Sequence, residues 1–465
     1  MYYRELFKLC EWDDARIDKE KPRIEKAFER AGITPGDCKE AEGRIKEYFD
    51  MRASRKSMGL YLRRFIDLIL SRDEYEKVVY QIHLGFPRLS LALSFADPRV
   101  YCDFIDCIFE VVMGPSCFNK LNHILEMAET HGMDAGLGHC GVTQTAVGAM
   151  ASGILQKPDL FIGGGQQCDQ AAKVVELIGE TYDIPYLLFD TARDEPWGFY
   201  PQIDNDIVQY WGNSLQNLSR KAEEMLGITI SEEVWRKARV KYAMMWSQLR
   251  TIYDLYIEAE RCPVHLSNHS QVIFPLLDMS VSVSEEQPEI LDLYAKEMKE
   301  KMDKGEGVLP KDAPRVALMC LPLVDPAVAQ MYEEAGLYLV IPSNANWIAS
   351  WELGTGHKYD HFTEKIAESY IKKGYVRCGW DHLYRANEMV KECRLDGYLW
   401  GWMWSCRAFS HVAYLVKDYI EKEAGVPVLP IEIDGFDPRD HTPEQLRTRV
   451  ETFAQLLMAR KAAAA

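Results

Sequence analysis

Two doubly wound, Rossmann-like parallel α/β units behind a helical N-terminal region are the architecture this sequence predicts. Three observations carry the prediction. Residues 1–125 set apolar side chains at three- and four-residue intervals between charges. Beyond them, short runs rich in branched residues alternate with helical patterns, as strands and crossover helices do in a parallel sheet. That alternation occurs twice, with long helical material between. A chain of 465 residues has room for about three domains or subdomains at roughly 150 residues each, and the expected divisions are a helical region at 1–125, a first α/β unit at 126–275 and a second at 276–465.

Along the chain, KPRIEKAFERAGI, GDCKEAEGRIKEYFDMRASRK and LYLRRFIDLILSRDEYEKVVYQI read as helices, punctuated by Gly32, Pro35, Gly36 and Gly59. In the first α/β unit, Leu160–Gly163 reads as a strand, Gly163–Gly165 as a turn and the following segment as a helix; IPYLLFD, ending at Asp190, is the next strand. The segment from Trp235 to Pro263 reads as a long helix or helix pair, whose Met and aromatic stripe at helical spacing points to core and not to a cofactor box. In the second unit, RVALMCLP, GLYLVIPS, DGYLWGWMWSC and VPVLPIEIDG read as strands with helices between them. No internal repeat of fixed period occurs.

Composition narrows the function. With 47% hydrophobic and 27% charged residues the chain is that of a folded globular protein, not a disordered one. Fifty-four basic against 71 acidic side chains give a net charge of −17, which repels a phosphate backbone, so nucleic acid is not an expected partner. The N-terminus has neither the apolar core of a signal peptide nor the acid-poor character of a transit peptide, and no run of 18 apolar residues occurs, so a cytoplasmic location without a membrane span is expected. Twelve cysteines in such a chain are too sparse for a disulfide framework and are expected to be reduced.

The common catalytic signatures are absent. The Gly163–Gly165 run opens a helix after a strand but lacks the G-x-G-x-x-G spacing, and no P-loop, H-E-x-x-H, C-x-x-C or G-x-S-x-G occurs, which argues against ATP hydrolysis by this chain and against the usual zinc and serine hydrolases. Cys102 and Cys107, in an apolar setting read as helical, suit buried packing better than a shared metal.

Three other cysteines stand apart. Cys140 lies where a glycine-rich loop enters a helix (GLGHCGVTQ), Cys168 starts the helix after a strand (GGGQQCDQAA), and Cys406 lies just past a strand (WMWSCRAF). At a helix N-terminus, exposed N–H groups and the dipole favour a thiolate, and doubly wound sheets gather ligands at the carboxyl ends of their strands. Three such ends can bring these cysteines together although they lie far apart in the chain; taken singly, each also fits an inert buried thiol.

The segment from Cys140 to Asp190, with its two cysteines, "PD" strand and "IP" strand, resembles the 2-hydroxyacyl-CoA dehydratase and benzoyl-CoA reductase superfamily, which includes the 2-hydroxyglutaryl-CoA dehydratase D-component family. The tail from Asp396 to Leu457 agrees, with a third cysteine, the "GVPVL" strand, an acidic "DP" loop and the Gln445–Glu451 helix. The resemblance extends from about Glu126 to Leu457 and is closest to the larger, alpha-type subunits.

This resemblance implies a [4Fe–4S] cluster held by Cys140, Cys168 and Cys406, with one iron lacking a protein thiolate and therefore open as a Lewis acid. It implies an acyl-CoA thioester substrate, a separate ATP-dependent iron–sulfur activator protein that delivers a low-potential electron, and a homologous smaller subunit or a second copy of this chain. It also implies an anaerobic organism. In the dehydratases the electron turns a 2-hydroxyacyl thioester into a ketyl radical anion that expels hydroxide, with no net redox change; in the aromatic acyl-CoA reductases the electrons stay in the product. A double-cubane reductase homodimer is a further member class, for which Cys117, Cys320 and Cys378 are spare ligand candidates, and a fully ligated electron relay is the non-catalytic reading. His411, just beyond Cys406, is a candidate for proton transfer, set against a capping or surface role. His139 and Ser405 are candidates for hydrogen bonds to cluster sulfur, Trp402 and Trp404 for packing around it, and Arg447 and Arg449 for salt bridges.

Overall fold

Both sheets are four-stranded, wholly parallel and ordered alike. A computed structural model describes residues 1–464 other than 83–86, 166–167, 192–203, 278–283, 320–323, 342–358, 360–361, 372–378, 404, 407–409, 411 and 441. The first sheet holds β1 (Lys77–Gln81), β2 (Val100–Phe104), β3 (Leu160–Gly164) and β4 (Tyr186–Phe189) in the order β2-β1-β3-β4. The second holds β5 (Arg315–Met319), β6 (Tyr338–Ile341), β7 (Gly397–Trp402) and β8 (Val428–Glu432) in the order β6-β5-β7-β8. In each, the first strand lies between the second and third, so the order reverses between β1 and β3 and again between β5 and β7. Crevices at such reversals are where doubly wound sheets bind ligands.

The N-terminal helices Arg4–Leu9, Asp14–Arg30, Pro35–Tyr48 and Arg52–Glu74 form as the apolar spacing predicts, and Thr34 with Asp37 closes a capping box at the third. Two details differ. Gly59 does not separate helices; it lies inside Arg52–Glu74, where a Cβ would stand 2.3 Å from the Cys10 carbonyl oxygen and the Trp12 indole donates to the Gly59 carbonyl at 3.2 Å. Residues 77–104 are not wholly helical either. They contribute β1 and β2, so the first sheet begins well before residue 125, and Cys102 is a strand residue whose sulfur accepts from Gln81 Nε2 at 3.3 Å. The physical reason is length: KVVYQ and VYCDF are five-residue buried runs flanked by helices, too short for a period to register, and only their branched and aromatic content marks them as strands.

The strands β3 to β8 fall where the sequence places them. The long segment after Ser231 is a single helix, Glu232–Glu258, capped by the Ser231 hydroxyl; its Trp235, Tyr242, Met245, Trp246, Tyr253 and Tyr256 are buried, so the stripe is core. Helices Leu266–Leu277 and Arg52–Glu74 join the N-terminal region to this middle layer: Asn268 Oδ1 accepts the Met51 N–H at 3.2 Å and the Ser54 hydroxyl at 2.5 Å. Among the described residues, no helix is long and apolar enough to cross a membrane.

Candidate functional site

Cys140 is the N-cap of helix Gly141–Ala151. A thiol is a poor capping acceptor, and here a carboxylate from the other sheet takes that role: Asp434 Oδ2 accepts the Gly141 N–H at 2.8 Å. The Thr143 hydroxyl donates to the Cys140 carbonyl at 2.9 Å and stands 3.6 Å from its sulfur. Gly141 has to be glycine, since a Cβ would stand 2.5 Å from the Phe436 carbonyl carbon. Cys140 is buried, and burial, then the charges of Asp434 and Cys168, push its thiol well above the ordinary range.

Cys168 is the N-cap of helix Asp169–Tyr182, whose Ala171, Val174, Val175 and Ile178 face the core. It stands four residues past the end of β3, and Cys406 stands four residues past the end of β7. The two cysteines therefore hold equivalent places, each following the third strand of its sheet at the reversal of strand order. Both are half-buried.

One side chain touches all three cysteine-bearing segments. Gln170 Oε1 accepts the Cys140 N–H at 3.4 Å and lies 3.3 Å from the Thr143 hydroxyl, whose single proton it shares with the Cys140 carbonyl. Its Nε2 donates to the Gly138 carbonyl at 2.6 Å and to the Ser405 carbonyl at 2.8 Å, and Ser405 precedes Cys406. Gln170 thus ties the backbone before Cys406 and around Cys140 to the helix that Cys168 opens. Among the described residues, no three His, Cys, Asp or Glu side chains close round one point as the ligands of a single ion do.

The loop after β8 packs behind Cys140. Asp434 is fully buried; burial pushes its carboxyl up to about 7, against the pull of the Gly141 and Phe436 N–H groups it accepts. Asp437 is held by Arg439, which reaches on to Glu129 at 2.8 Å and to Gln144 at 3.4 Å in the first unit. A shallow, solvent-open cleft is lined by Pro115, Leu121, Leu318, Val328 and Tyr332, with Asp434 at its wall. Glu110, on helix Ile105–Met113, is buried with neither carboxyl oxygen hydrogen-bonded; burial first, then Asp106 and Asp434, hold its carboxyl well above the usual range.

Of the other predicted residues, His139 has a buried Nδ1 with no hydrogen-bond partner, and burial, then Lys173, lowers its imidazole. Ser405 is buried and meets Gln170 through its carbonyl. Cys117 is buried with Cys10 and Cys38 as its electrostatic neighbours, in the helical N-terminal region. Arg447 pairs with Glu334 at 2.7 Å, while Arg449 donates to the Pro430 carbonyl. His411, Trp404, Cys320 and Cys378 lie outside the described residues. Sequence reasoning singled out neither Gln170, Asp434 nor Glu110. The acidic turn-rich string IDGFDPRD after a strand was a usable signal for Asp434, whereas nothing local marks Gln170 or Glu110.

The family model described as "2-hydroxyglutaryl-CoA dehydratase, D-component" matches residues 111–457. Among curated proteins, the chain is 22% identical over 313 residues to the (R)-phenyllactyl-CoA dehydratase alpha subunit of Clostridium sporogenes, covering 66% of this chain and 72% of that one. It is 20% identical over 351 residues to the (R)-2-hydroxyisocaproyl-CoA dehydratase alpha subunit of Clostridioides difficile, covering 73% and 81%. It is also 20% identical over 313 residues to the (R)-2-hydroxyglutaryl-CoA dehydratase subunit alpha of Acidaminococcus fermentans, covering 65% and 61%.

Proposed function

The chain belongs to the 2-hydroxyglutaryl-CoA dehydratase D-component family, and on that premise we propose that it is the alpha-type subunit of a 2-hydroxyacyl-CoA dehydratase, removing water from the CoA thioester of a 2-hydroxy acid. The named relatives are dehydratase alpha subunits, which favours water elimination over aromatic reduction and calls for a second subunit beside this one. A separate ATP-dependent activator would supply the electron, in keeping with a chain that carries no P-loop.

Cys140, Cys168 and Cys406 would hold a [4Fe–4S] cluster. The observation that carries this assignment is the convergence on Gln170 of three backbone segments, each bearing one cysteine next to the contact. The donor set suits the group: soft thiolates from separate segments fit the separate irons of a cubane. When bound, such a cluster supplies one-electron chemistry and, at the iron without a protein thiolate, a Lewis-acidic position.

The chain's own residues do the rest. Asp434 fixes the start of the Cys140 helix through the Gly141 N–H, and Arg439 ties the loop after β8 to Glu129 and Gln144. Iron and acid-labile sulfide on anaerobically purified protein test the reading, beside Cys140→Ala, Cys168→Ala and Cys406→Ala. About four irons per chain, lost in each variant, together with 2-enoyl-CoA formed from a 2-hydroxyacyl-CoA in the presence of activator and second subunit, is the expected result. Iron-free protein after reconstitution, or variants that keep their iron, overturns it.

A further inference from the structure

Gln170 is buried at 6% exposure on the first turn of its helix, and every hydrogen-bonding position of its amide that the protein can reach is in use. Its orientation is determined by its partners. The Gly138 and Ser405 carbonyls can only accept and the Cys140 N–H can only donate, so a flipped amide would face acceptor with acceptor and donor with donor. The contacts span 30 residues to Cys140 on one side and 235 to Ser405 on the other, linking the two α/β units.

We propose that Gln170 is a positioning residue for the three-cysteine centre: its amide sets the mutual placement of the Cys140, Cys168 and Cys406 segments and so governs how firmly, and in what electronic state, an iron–sulfur cluster is held. This inference rests on the assignment of those cysteines as cluster ligands. The mechanism is a rigid strut. Cys168 lies two residues from the Gln170 backbone on the helix start that both share, while the far end of the side chain is bonded to the backbone just before Cys406 and, at Gly138 and Cys140, on both sides of His139. Nothing covalent joins these segments locally, so removing the amide lets the second unit's cysteine move relative to the first unit's pair. It also releases the Cys140 N–H from an oxygen acceptor, leaving that donor available to sulfur, and hydrogen bonds to cluster sulfur are a main determinant of reduction potential.

Two variants of the full chain separate positioning from space-filling. Gln170→Leu removes the three hydrogen bonds to the Cys140 N–H and the Gly138 and Ser405 carbonyls. Gln170→Glu keeps the shape and the acceptor toward Cys140 but sets a carboxylate oxygen against the Gly138 and Ser405 carbonyls. Each is reconstituted anaerobically beside wild type and compared by iron loss to a chelator, by the electron paramagnetic resonance spectrum of the reduced cluster and by its midpoint potential, with circular dichroism reporting the fold. We expect both variants to lose iron about tenfold faster than wild type, the scale at which partners behind metal ligands act, and both to show altered spectra and potentials. If the leucine variant does not fold, the isosteric glutamate variant decides. Wild-type iron retention, spectrum and potential in the folded variants would overturn the role of Gln170 while leaving the cluster assignment standing. Wild-type protein that takes up no iron removes the assignment, and the inference with it.

Discussion

Asp434 accepts the Gly141 N–H at 2.8 Å, so a carboxylate 293 positions further along the chain caps the helix that Cys140 opens. The contact is close because Gly141 has no side chain: the Phe436 carbonyl carbon and the Asp437 nitrogen occupy the space a Cβ would need, at 2.5 and 2.8 Å. Backbone cannot step aside as a flexible side chain can. Gly141→Ala therefore pushes the 436–437 loop away and breaks the Asp434 cap, and overpacking of this kind costs about 1–3 kcal/mol. Urea unfolding of the iron-free protein should show a loss of that size. Asp434→Asn leaves one oxygen for the two N–H groups of Gly141 and Phe436, so it should also lose stability, by about 1–3 kcal/mol for the buried donor left unpaired.

Glu110 is a second buried acid, with no hydrogen bond to either oxygen. Its folded carboxyl titrates well above the ordinary 4.5, because burial and the nearby Asp106 and Asp434 disfavour its charge. The folded protein therefore holds this proton at pH values where the unfolded chain has released it, and the linkage sign follows: stability falls as pH rises above about 4.5, until the folded group itself ionises. Glu110→Met keeps the volume and removes the buried polar atoms. The variant should exceed wild type by about 1–3 kcal/mol at pH 5, the usual cost of an unsatisfied buried polar group, and by more at pH 8, where the linkage adds at most about 1.4 kcal/mol per pH unit. Denaturant titrations of the iron-free proteins at both pH values measure the difference, and a gain that shrinks with rising pH would refute the assignment.

The site was partly legible in the sequence because its cysteines sit at junctions that leave a local trace. Cys140, Cys168 and Cys406 each follow turn residues and precede or follow an apolar run, and the structure places the first two as helix N-caps and the third just past β7. The strands β3 to β8 were legible for a similar reason: each is an apolar run followed by a turn and a helix. β1 and β2 were not, since KVVYQ follows the 23-residue helix Arg52–Glu74 with only Tyr75 and Glu76 between, and VYCDF runs directly into helix Ile105–Met113. Gln170 and Asp434 matter through partners far away in sequence, so their neighbours in the chain say nothing of their roles. The identical order of the two sheets left no trace at all, because topology repeats here without any repeat of sequence.

His269 sets the acid side of the stability profile. It is fully buried against Tyr253, Tyr256 and Tyr294, with the Tyr256 ring centroid 4.7 Å away and neither ring nitrogen hydrogen-bonded. Burial lowers its imidazole from 6.5 to about 3. The folded protein thus keeps His269 neutral where the unfolded chain takes up a proton, and stability present above pH 6.5 is lost as the pH falls toward 3. One proton contributes at most about 1.4 kcal/mol per pH unit, and the unfolded imidazole is only half protonated at pH 6.5, so the loss between pH 6.5 and 4.5 is about 2 kcal/mol. His269→Phe places a ring of similar size among the tyrosines and cannot take up the proton. Its unfolding free energy should decline less steeply over that interval by about one proton's slope, and a variant as acid-sensitive as wild type would show that other groups set the profile.

Iron removal should loosen the joint between the two α/β units. On the proposed assignment Cys140 and Cys168 belong to elements flanking β3 and Cys406 to the segment after β7, so a bound cluster is a bridge between units otherwise linked here by the polar contacts of Gln170, Asp434 and Arg439. A ligand that binds only the folded arrangement stabilises it by mass action, by about 2.7 kcal/mol when its free concentration is one hundred times the dissociation constant. Stripping iron anaerobically with a chelator should therefore lower the unfolding midpoint by a few degrees and hasten limited proteolysis. Cys406→Ala should start at the lower midpoint and no longer respond to the chelator, because the bridge is already cut on the second unit's side. If that variant still drops on chelation to the same extent as wild type, the iron is held by the first unit alone and Cys406 is not part of the bridge.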